Sequence, residues 1–172
     1  MKVAIVGGRS RADYLIGAFA ESADTVVVIN DDHAFCEYLS SRHEATVIWG
    51  NGMQRRVLED AGIRGFDAIV ALTGLDADNL TICQIAKRFL DISLQLCIVS
   101  NPENTKIFRQ LGITTAISAT ATLAQAIRDA MGTTLSKSCS PSRSPMNDPE
   151  EFGDPPSSLS SVLSSWHRLG KG

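Results

Sequence analysis

The sequence predicts an α/β protein with a Rossmann-like doubly wound parallel sheet. The first reason is that short runs rich in Val and Ile alternate with segments of helical periodicity along about 130 residues. The second is that these runs are apolar almost throughout, which is typical of parallel strands buried on both faces. The third is that each intervening segment is helical and can cover the sheet as a crossover.

Six strands and six helices are predicted in strict alternation. The strands are KVAIV (2–6), TVVVIN (25–30), ATVIW (45–49), DAIVAL (67–72), LQLCIV (94–99) and TAIS (115–118). The helices are residues 11–20, 33–41, 53–61, 76–89, 102–111 and 119–131. Asp32 precedes the second helix as an N-cap, and Asp76 and Asp78 lie at the start of the fourth, where carboxylates stabilise the helix dipole.

The composition changes near residue 135, which predicts one domain over residues 1–135 and a flexible tail over 136–172. Five of the six prolines lie in that serine-rich tail, which has too few apolar residues to offset the entropy of ordering. A short amphipathic helix in LSSVLSSWHRL, near the end of the tail, is an alternative if an apolar surface receives it.

Charge and cysteine content exclude several classes of function. The net charge of -3 does not favour a nucleic-acid partner. The four cysteines form no C-x-x-C pair, and three lie in apolar segments, which favours buried reduced thiols over disulfides or a metal site. No apolar run approaches the roughly 20 residues of a membrane span. We therefore expect a cytosolic protein that does not itself span a membrane.

The stretch VAIVGGRSRADYL resembles the phosphate-binding corner of a dinucleotide fold but has only the first of its three glycines in register. Gly7 allows the tight turn, Arg9 stands at the second glycine position, and Ala12 is an accepted variant at the third. Arg9 and Arg11 either turn outward to meet phosphate, or Arg9 fills the crevice and the loop only connects strand to helix. The candidate phosphate-loop residues are Gly7, Gly8, Arg9, Ser10, Arg11 and Ala12.

The end of the second strand is the other diagnostic position, because an acidic residue there normally binds the ribose hydroxyls. This chain has Asn30 at that place, followed by Asp31 and Asp32. Asn30 can form a weaker, uncharged hydrogen bond. Asp31 is the alternative ribose ligand.

With these strands placed, residues 1 to about 120 resemble a TrkA-N domain, the nucleotide-binding half of RCK regulators of potassium channels and transporters. Three later blocks carry the resemblance, in the family's order and spacing. They are VIWGNGMQRRVLEDAGI, FDAIVALTGLDADNLTICQIAKR and NPENTKIFRQLGITTAIS. The chain departs from the family pattern at Arg9, Asn30, Asn51, Met53 and Ile98.

The resemblance implies a nucleotide site, with NAD(H) or ATP/ADP as the ligand. In addition to the phosphate loop and Asn30, it places Asn51 and Gly52 near the base. It also places four residues in the loop and helix start that close over the nucleotide: Thr73, Gly74, Asp76 and Asn79.

The function implied by the resemblance is a cytosolic, nucleotide-responsive regulatory subunit of a potassium uptake or channel system. Its partners would be a membrane transporter or channel subunit and further copies of itself, as a homodimer or a higher homo-oligomer. Helix 119–131 is a candidate dimer element, because Leu123, Ala126, Ile127 and Met131 share one face; alternatively, that face packs on the chain's own sheet. A protein-interaction scaffold that binds no nucleotide is the alternative function. An NAD(P)-dependent oxidoreductase is disfavoured, since no second domain follows to carry proton-transfer groups, and we expect no enzymatic activity.

Overall fold

A computed structural model of the protein describes residues 1–137. The strands are β1 (Lys2–Val6), β2 (Thr25–Asn30), β3 (Thr46–Trp49), β4 (Ala68–Ala71), β5 (Leu94–Val99) and β6 (Thr115–Ser118). The helices are α1 (Ser10–Phe19), α2 (His33–Arg42), α3 (Arg55–Asp60), α4 (Asp76–Phe89), α5 (Asn104–Gln110) and α6 (Ala119–Lys137).

Residues Met1–Leu135 form one compact unit. The Ser/Pro-rich tail and its candidate amphipathic helix lie outside the described residues from position 138 onward. The division of the chain at residue 135 therefore stays a prediction.

The six strands form one sheet in the order β3-β2-β1-β4-β5-β6, and every neighbouring pair is parallel. The chain first builds the sheet outward from β1 to β3, then returns to β4 on the other side of β1 and continues to β6. Strand order thus reverses between β1 and β4, where a doubly wound sheet has its ligand crevice. The predicted fold class is confirmed.

Two hydrophobic clusters cover the two faces of the sheet, as the apolar strands predict. Successive residues of a strand point to opposite faces, and β1 shows this directly. Ala4 and Val6 belong to one buried cluster, whereas Val3 and Ile5 belong to the other. Cys36, Cys83 and Cys97 are free and buried, as predicted.

All the helices except α4 differ from the predicted ranges at one end or both, and the start of α3 and the end of α6 differ for identifiable reasons. Helix α3 begins at Arg55 rather than at Met53, because the Asn51 side chain accepts a hydrogen bond from the Met53 N–H and the Asn51 carbonyl accepts one from Gln54. This turn occupies the residues expected to begin the helix. Helix α6 continues past Met131 to Lys137, since a single glycine at position 132 costs only about 1 kcal/mol.

Helix α6 leaves its apolar stripe in solvent. Leu123 is 63% exposed and Ile127 51% exposed, and Met131 lies on the same side, also exposed. The alternative that this stripe packs on the chain's own sheet is therefore wrong within the described residues.

Candidate functional site

A cavity of about 460 Å³ opens at the carboxyl ends of β1, β2 and β4, where the strand order reverses. This volume lies in the range of small-molecule sites. The strands end level with one another, because Val6 is paired with Ile29 on one side and with Ala71 on the other. The loops that follow the three strands consequently meet around one opening. Eleven of the fourteen candidate residues line it: Gly7, Gly8, Arg9, Ser10, Arg11, Asn30, Asp31, Asn51, Gly52, Thr73 and Gly74.

The loop between β1 and α1 forms the first wall and requires its two glycines. Gly7 and Gly8 adopt φ values of 70° and 75°, in the left-handed region that side chains disfavour. A Cβ on Gly7 would also lie 2.9 Å from the Thr73 side chain. Helix α1 then begins at Ser10 with no side-chain cap. The Ala12 N–H donates to the Arg9 carbonyl at 3.0 Å, but the first two amides, those of Ser10 and Arg11, have no partner within a helix and can therefore meet an anion.

The Arg9 side chain lies on the rim of this cavity and does not fill it. It is 80% exposed, and its guanidinium lies 3.0 Å from the Asp32 carboxylate. This ion pair links the β1–α1 loop to the β2–α2 turn across the rim. Arg11 lies in the same wall, so two arginines line the cavity on the side of the phosphate loop.

Asn30 provides a second link between the same two segments. Its side-chain amide donates to the Gly8 carbonyl at 3.2 Å, and its side-chain oxygen accepts from the Asp32 N–H at 2.9 Å. The residue is 4% exposed. Asp32 caps α2 as the sequence predicts, accepting from the Phe35 N–H. Asn30 thus holds the phosphate loop against the α2 turn.

The loop after β3 forms a third wall through Asn51, Gly52 and Met53. The Asn51 side-chain oxygen is occupied by the Met53 N–H at 2.9 Å. Its amide hydrogens point to no partner that the structure records in residues 1–137, so they remain able to donate to a ligand. Gly52 is buried against Val6, at a spacing that leaves no room for a Cβ.

The start of α4 contributes residues that the sequence analysis did not identify. Leu75, Asp78 and Ile82 line the cavity, and their spacing of three and four residues places them on one face of the helix. That periodicity was the signal available in the sequence. The β2–α2 turn adds Asp32, so three carboxylates, Asp31, Asp32 and Asp78, lie around the opening beside Arg9 and Arg11.

Three candidate residues lie away from the cavity wall. Ala12 is fully buried among the residues between α1 and the sheet, which fits the close-packing role of the third glycine position. Asp76 faces the loop after β5 and accepts hydrogen bonds from the backbone of Ser100 and Asn101 and from the Asn104 side chain. Burial raises the pKa of Asp76, but these hydrogen bonds outweigh it and hold that pKa below its ordinary value.

Asn79 lies outside the cavity wall and positions one of its loops through hydrogen bonds. Its side-chain oxygen accepts from both the backbone N–H and the hydroxyl of Thr73, each at 2.8 Å. Its amide donates to the carbonyls of Ile98 at 2.8 Å and Thr73 at 3.3 Å. The residue is 1% exposed. It therefore fixes the Thr73 loop, which does line the cavity, to the end of β5.

Together, a glycine turn, an uncapped helix start, two guanidinium groups and three carboxylates can accommodate a ligand that carries both phosphate and hydroxyl groups. A family model described as the TrkA-N domain matches residues 3–119, which include every wall of this cavity. The chain belongs to the TrkA-N domain family.

Known relatives of this TrkA-N domain include a Trk system potassium uptake protein TrkA homolog of Methanothermobacter thermautotrophicus. The two are 32% identical over 124 residues, which cover 72% of this chain and 57% of that protein. The chain thus spans little more than half the length of that curated relative. The Pyrococcus abyssi protein of the same name is 30% identical over 108 residues, covering 62% of this chain and 48% of its own length.

Among solved structures, the TrkA-N domain resembles the one described as "GsuK channel bound to NAD". The TM-score is 0.60 and the identity 19%, over 67% of this chain and 21% of that one. The structure described as "Shewanella denitrificans Kef CTD in AMP bound form" has a TM-score of 0.63 and an identity of 18%, over 78% and 82% of the two chains. At these identities the similarity concerns the fold. Within residues 1–137, no helix of the TrkA-N domain has the length and hydropathy needed to cross a membrane.

Proposed function

We propose that this chain is a cytoplasmic, nucleotide-responsive regulatory module of a potassium uptake or channel system. The observation that carries the proposal is the cavity at the reversal of strand order, with the uncapped start of α1 and two arginines on one wall. Membership of the TrkA-N family supports it, as do the names of the relatives, which are potassium uptake proteins.

The ligand that this cavity fits is an adenine nucleotide, NAD(H) or ATP/ADP. The phosphates would meet Arg9, Arg11 and the first amides of α1. The base would lie toward the loop after β3, where the free amide hydrogens of Asn51 can donate to a ring nitrogen. Structures of similar fold that are described as bound to NAD or AMP support this class of ligand.

The module would act by binding, without catalysing a reaction. The names of the relatives, which are potassium uptake proteins, support a regulatory rather than a catalytic role. A bound nucleotide would instead change the balance between two assembly states that differ in their affinity for it. A membrane transporter or channel subunit would respond to that balance and bring the module to the inner face of the membrane.

A thermal-shift series with NAD, NADH, ATP, ADP and AMP tests nucleotide binding. A ligand at 100 times its Kd stabilises the folded state by about 2.7 kcal/mol, which raises the Tm by roughly 8 °C for a domain of this size. Inorganic pyrophosphate at the same ionic strength is the control for phosphate alone. No increase in Tm with any nucleotide at millimolar concentration would favour the scaffold function instead.

We also propose that the module assembles as a homodimer through α6. The apolar stripe of this helix is exposed, whereas most helical stability in proteins comes from packing such a face against a partner. A second copy of the same stripe would bury Leu123, Ile127 and Met131, which are large exposed apolar residues of this helix.

The assembly is tested by light scattering on the full chain with Leu123→Asp and Ile127→Asp variants. Burying a large apolar side chain contributes about 1.5–3 kcal/mol, and a two-fold interface contains each residue twice. Each variant should therefore weaken the dimer by at least about 100-fold. Ala121→Asp adds the same charge on the other side of α6, in its first turn, and should leave the dimer intact. A monomeric wild-type chain at micromolar concentration would refute this proposal.

A further inference from the structure

The cavity occupies one half of the edge at which the strands end. Its wall consists of segments that follow β1, β2, β3 and β4, and within residues 1–137 no residue beyond Ile82 lines it. A doubly wound sheet consists of two mononucleotide-binding halves, and a dinucleotide lies across both of them. Its first nucleoside would lie over β1 to β3, and its second would have to lie over β4 and β5. The segment after β5, however, does not contribute to the cavity.

Two side chains of α4 bridge the carboxyl ends of β4 and β5. Asn79 does so next to the sheet, since its side chain accepts from the Thr73 N–H and donates to the Ile98 carbonyl, each at 2.8 Å. Asp76 does so at the start of the helix, where its carboxylate accepts from the Ser100 N–H at 2.7 Å. The crevice that opens beside β1 is therefore bounded on the side of β5 by the first turn of α4.

The hydrogen bonds of Asp76 also engage the donors that a second nucleoside would need. Ser100 and Asn101 are the first two residues after β5, and the backbone N–H of each donates to Asp76, at 2.7 Å and 3.3 Å. The Asn104 side chain donates to the same carboxylate at 2.6 Å. A hydrogen bond to a carboxylate is roughly twice as strong as one to a neutral group. The uncharged hydroxyl and carboxamide groups of a second nucleoside cannot displace Asp76 on equal terms.

We propose that the cavity takes an adenosine phosphate with a single nucleoside, and that Asp76 excludes the second nucleoside of a dinucleotide by holding the backbone donors after β5. This inference rests on the proposed nucleotide binding and narrows its ligand to AMP, ADP or ATP. The charge of the cavity wall favours the same class. The terminal phosphate of ADP carries a charge of about −1.5 to −2 at pH 7, whereas in NAD that phosphate is a diester and lacks the second ionisation. Arg9 and Arg11 would therefore meet more negative charge on ADP than on NAD.

The test compares ADP, NAD and ADP-ribose by isothermal titration calorimetry on the full chain. We expect ADP to bind about tenfold more tightly than NAD, because NAD offers the arginines less charge. ADP-ribose has the same esterified diphosphate as NAD and lacks only the nicotinamide. Its affinity should lie within about twofold of that of NAD, because a nicotinamide without contacts contributes no binding energy. The proposal is overturned if NAD binds at least as tightly as ADP, or several-fold more tightly than ADP-ribose.

Two variants test the role of Asp76. Asp76→Ala frees the backbone N–H groups after β5 for a second nucleoside, so the preference for ADP over NAD should fall to about twofold. Asn104→Ala is the matched control, because it removes one hydrogen bond of the same carboxylate and leaves both backbone N–H groups bonded. Its preference should stay near tenfold.

A folded Asp76→Ala protein that keeps the full preference for ADP would overturn the role of Asp76. The wild-type titrations decide the class of ligand whether or not that variant folds. If the wild type binds NAD in preference to ADP, this inference fails and nucleotide regulation stands. If it binds no nucleotide, nucleotide regulation fails as well.

Discussion

Replacing Asn79 with alanine should lower the free energy of unfolding by about 3 kcal/mol. The substitution removes the partners of the Thr73 N–H and the Ile98 carbonyl. A buried polar group left without a partner costs about 1–3 kcal/mol, and Asn79 is 1% exposed, so water cannot replace the amide without entering the core. Urea unfolding followed by circular dichroism measures the change.

Asn101→Ala is the matched control for Asn79→Ala. It also deletes an asparagine amide, but Asn101 is exposed and its side-chain oxygen accepts one local hydrogen bond, from the Glu103 N–H. Its expected cost is about 0.5 kcal/mol. Equal unfolding midpoints for Asn79→Ala and the wild type would show that the described hydrogen bonds do not hold the Thr73 loop.

Gly52→Ala should destabilise the domain by about 2 kcal/mol through crowding. A Cβ at this position would overlap the Cγ1 of Val6, which is 2% exposed and cannot move into solvent. Inserting a methyl group into a filled core costs about 1–3 kcal/mol. The cost would come from steric overlap and not from backbone strain, since Gly52 is not among the glycines with positive φ.

Gly74→Ala is the control for Gly52→Ala within the same cavity. A Cβ on Gly74 would meet open space, so the change in unfolding free energy should be within about 0.5 kcal/mol of zero. Val6→Ala removes the overlapping methyl groups. The double variant Val6→Ala/Gly52→Ala should therefore be destabilised by about 1–2 kcal/mol less than the sum of the two single variants. If the costs of the two single substitutions are additive, the overlap with Val6 is not the cause of the destabilisation.

The fold could be predicted because local and global signals agree. Apolar β-branched runs predicted β1, β2, β5 and β6 with the bounds that the structure shows, and α4 begins and ends where its acidic first turn and its periodicity predict. The errors arose where a side chain competes with the helix, as Asn51 does before α3. The cavity residues on the β1–α1 loop could be predicted because parallel strands bring their carboxyl ends to one edge.

The detailed roles could not be predicted, because they depend on which direction a side chain takes. Sequence placed Asn30 at the ribose position, and its engagement with Gly8 is visible only when two loops are brought together. Likewise Asp76 and Asp78 are two residues apart on α4, yet one faces the loop after β5 and the other the cavity. Two residues that are two positions apart on a helix point to nearly opposite sides. Which side faces the cavity depends on how the helix packs on the sheet, not on the residue type.

The hydrogen bonds that Asp76 accepts from the loop after β5 constrain the start of α4 as well as that loop. Asp78, about 200° around the same helix from Asp76, lies on the cavity wall, so α4 contacts the cavity on one side and the segment leading into α5 on the other. A displacement of α4 would therefore have to break, or carry with it, the three hydrogen bonds that Asp76 accepts from Ser100, Asn101 and Asn104.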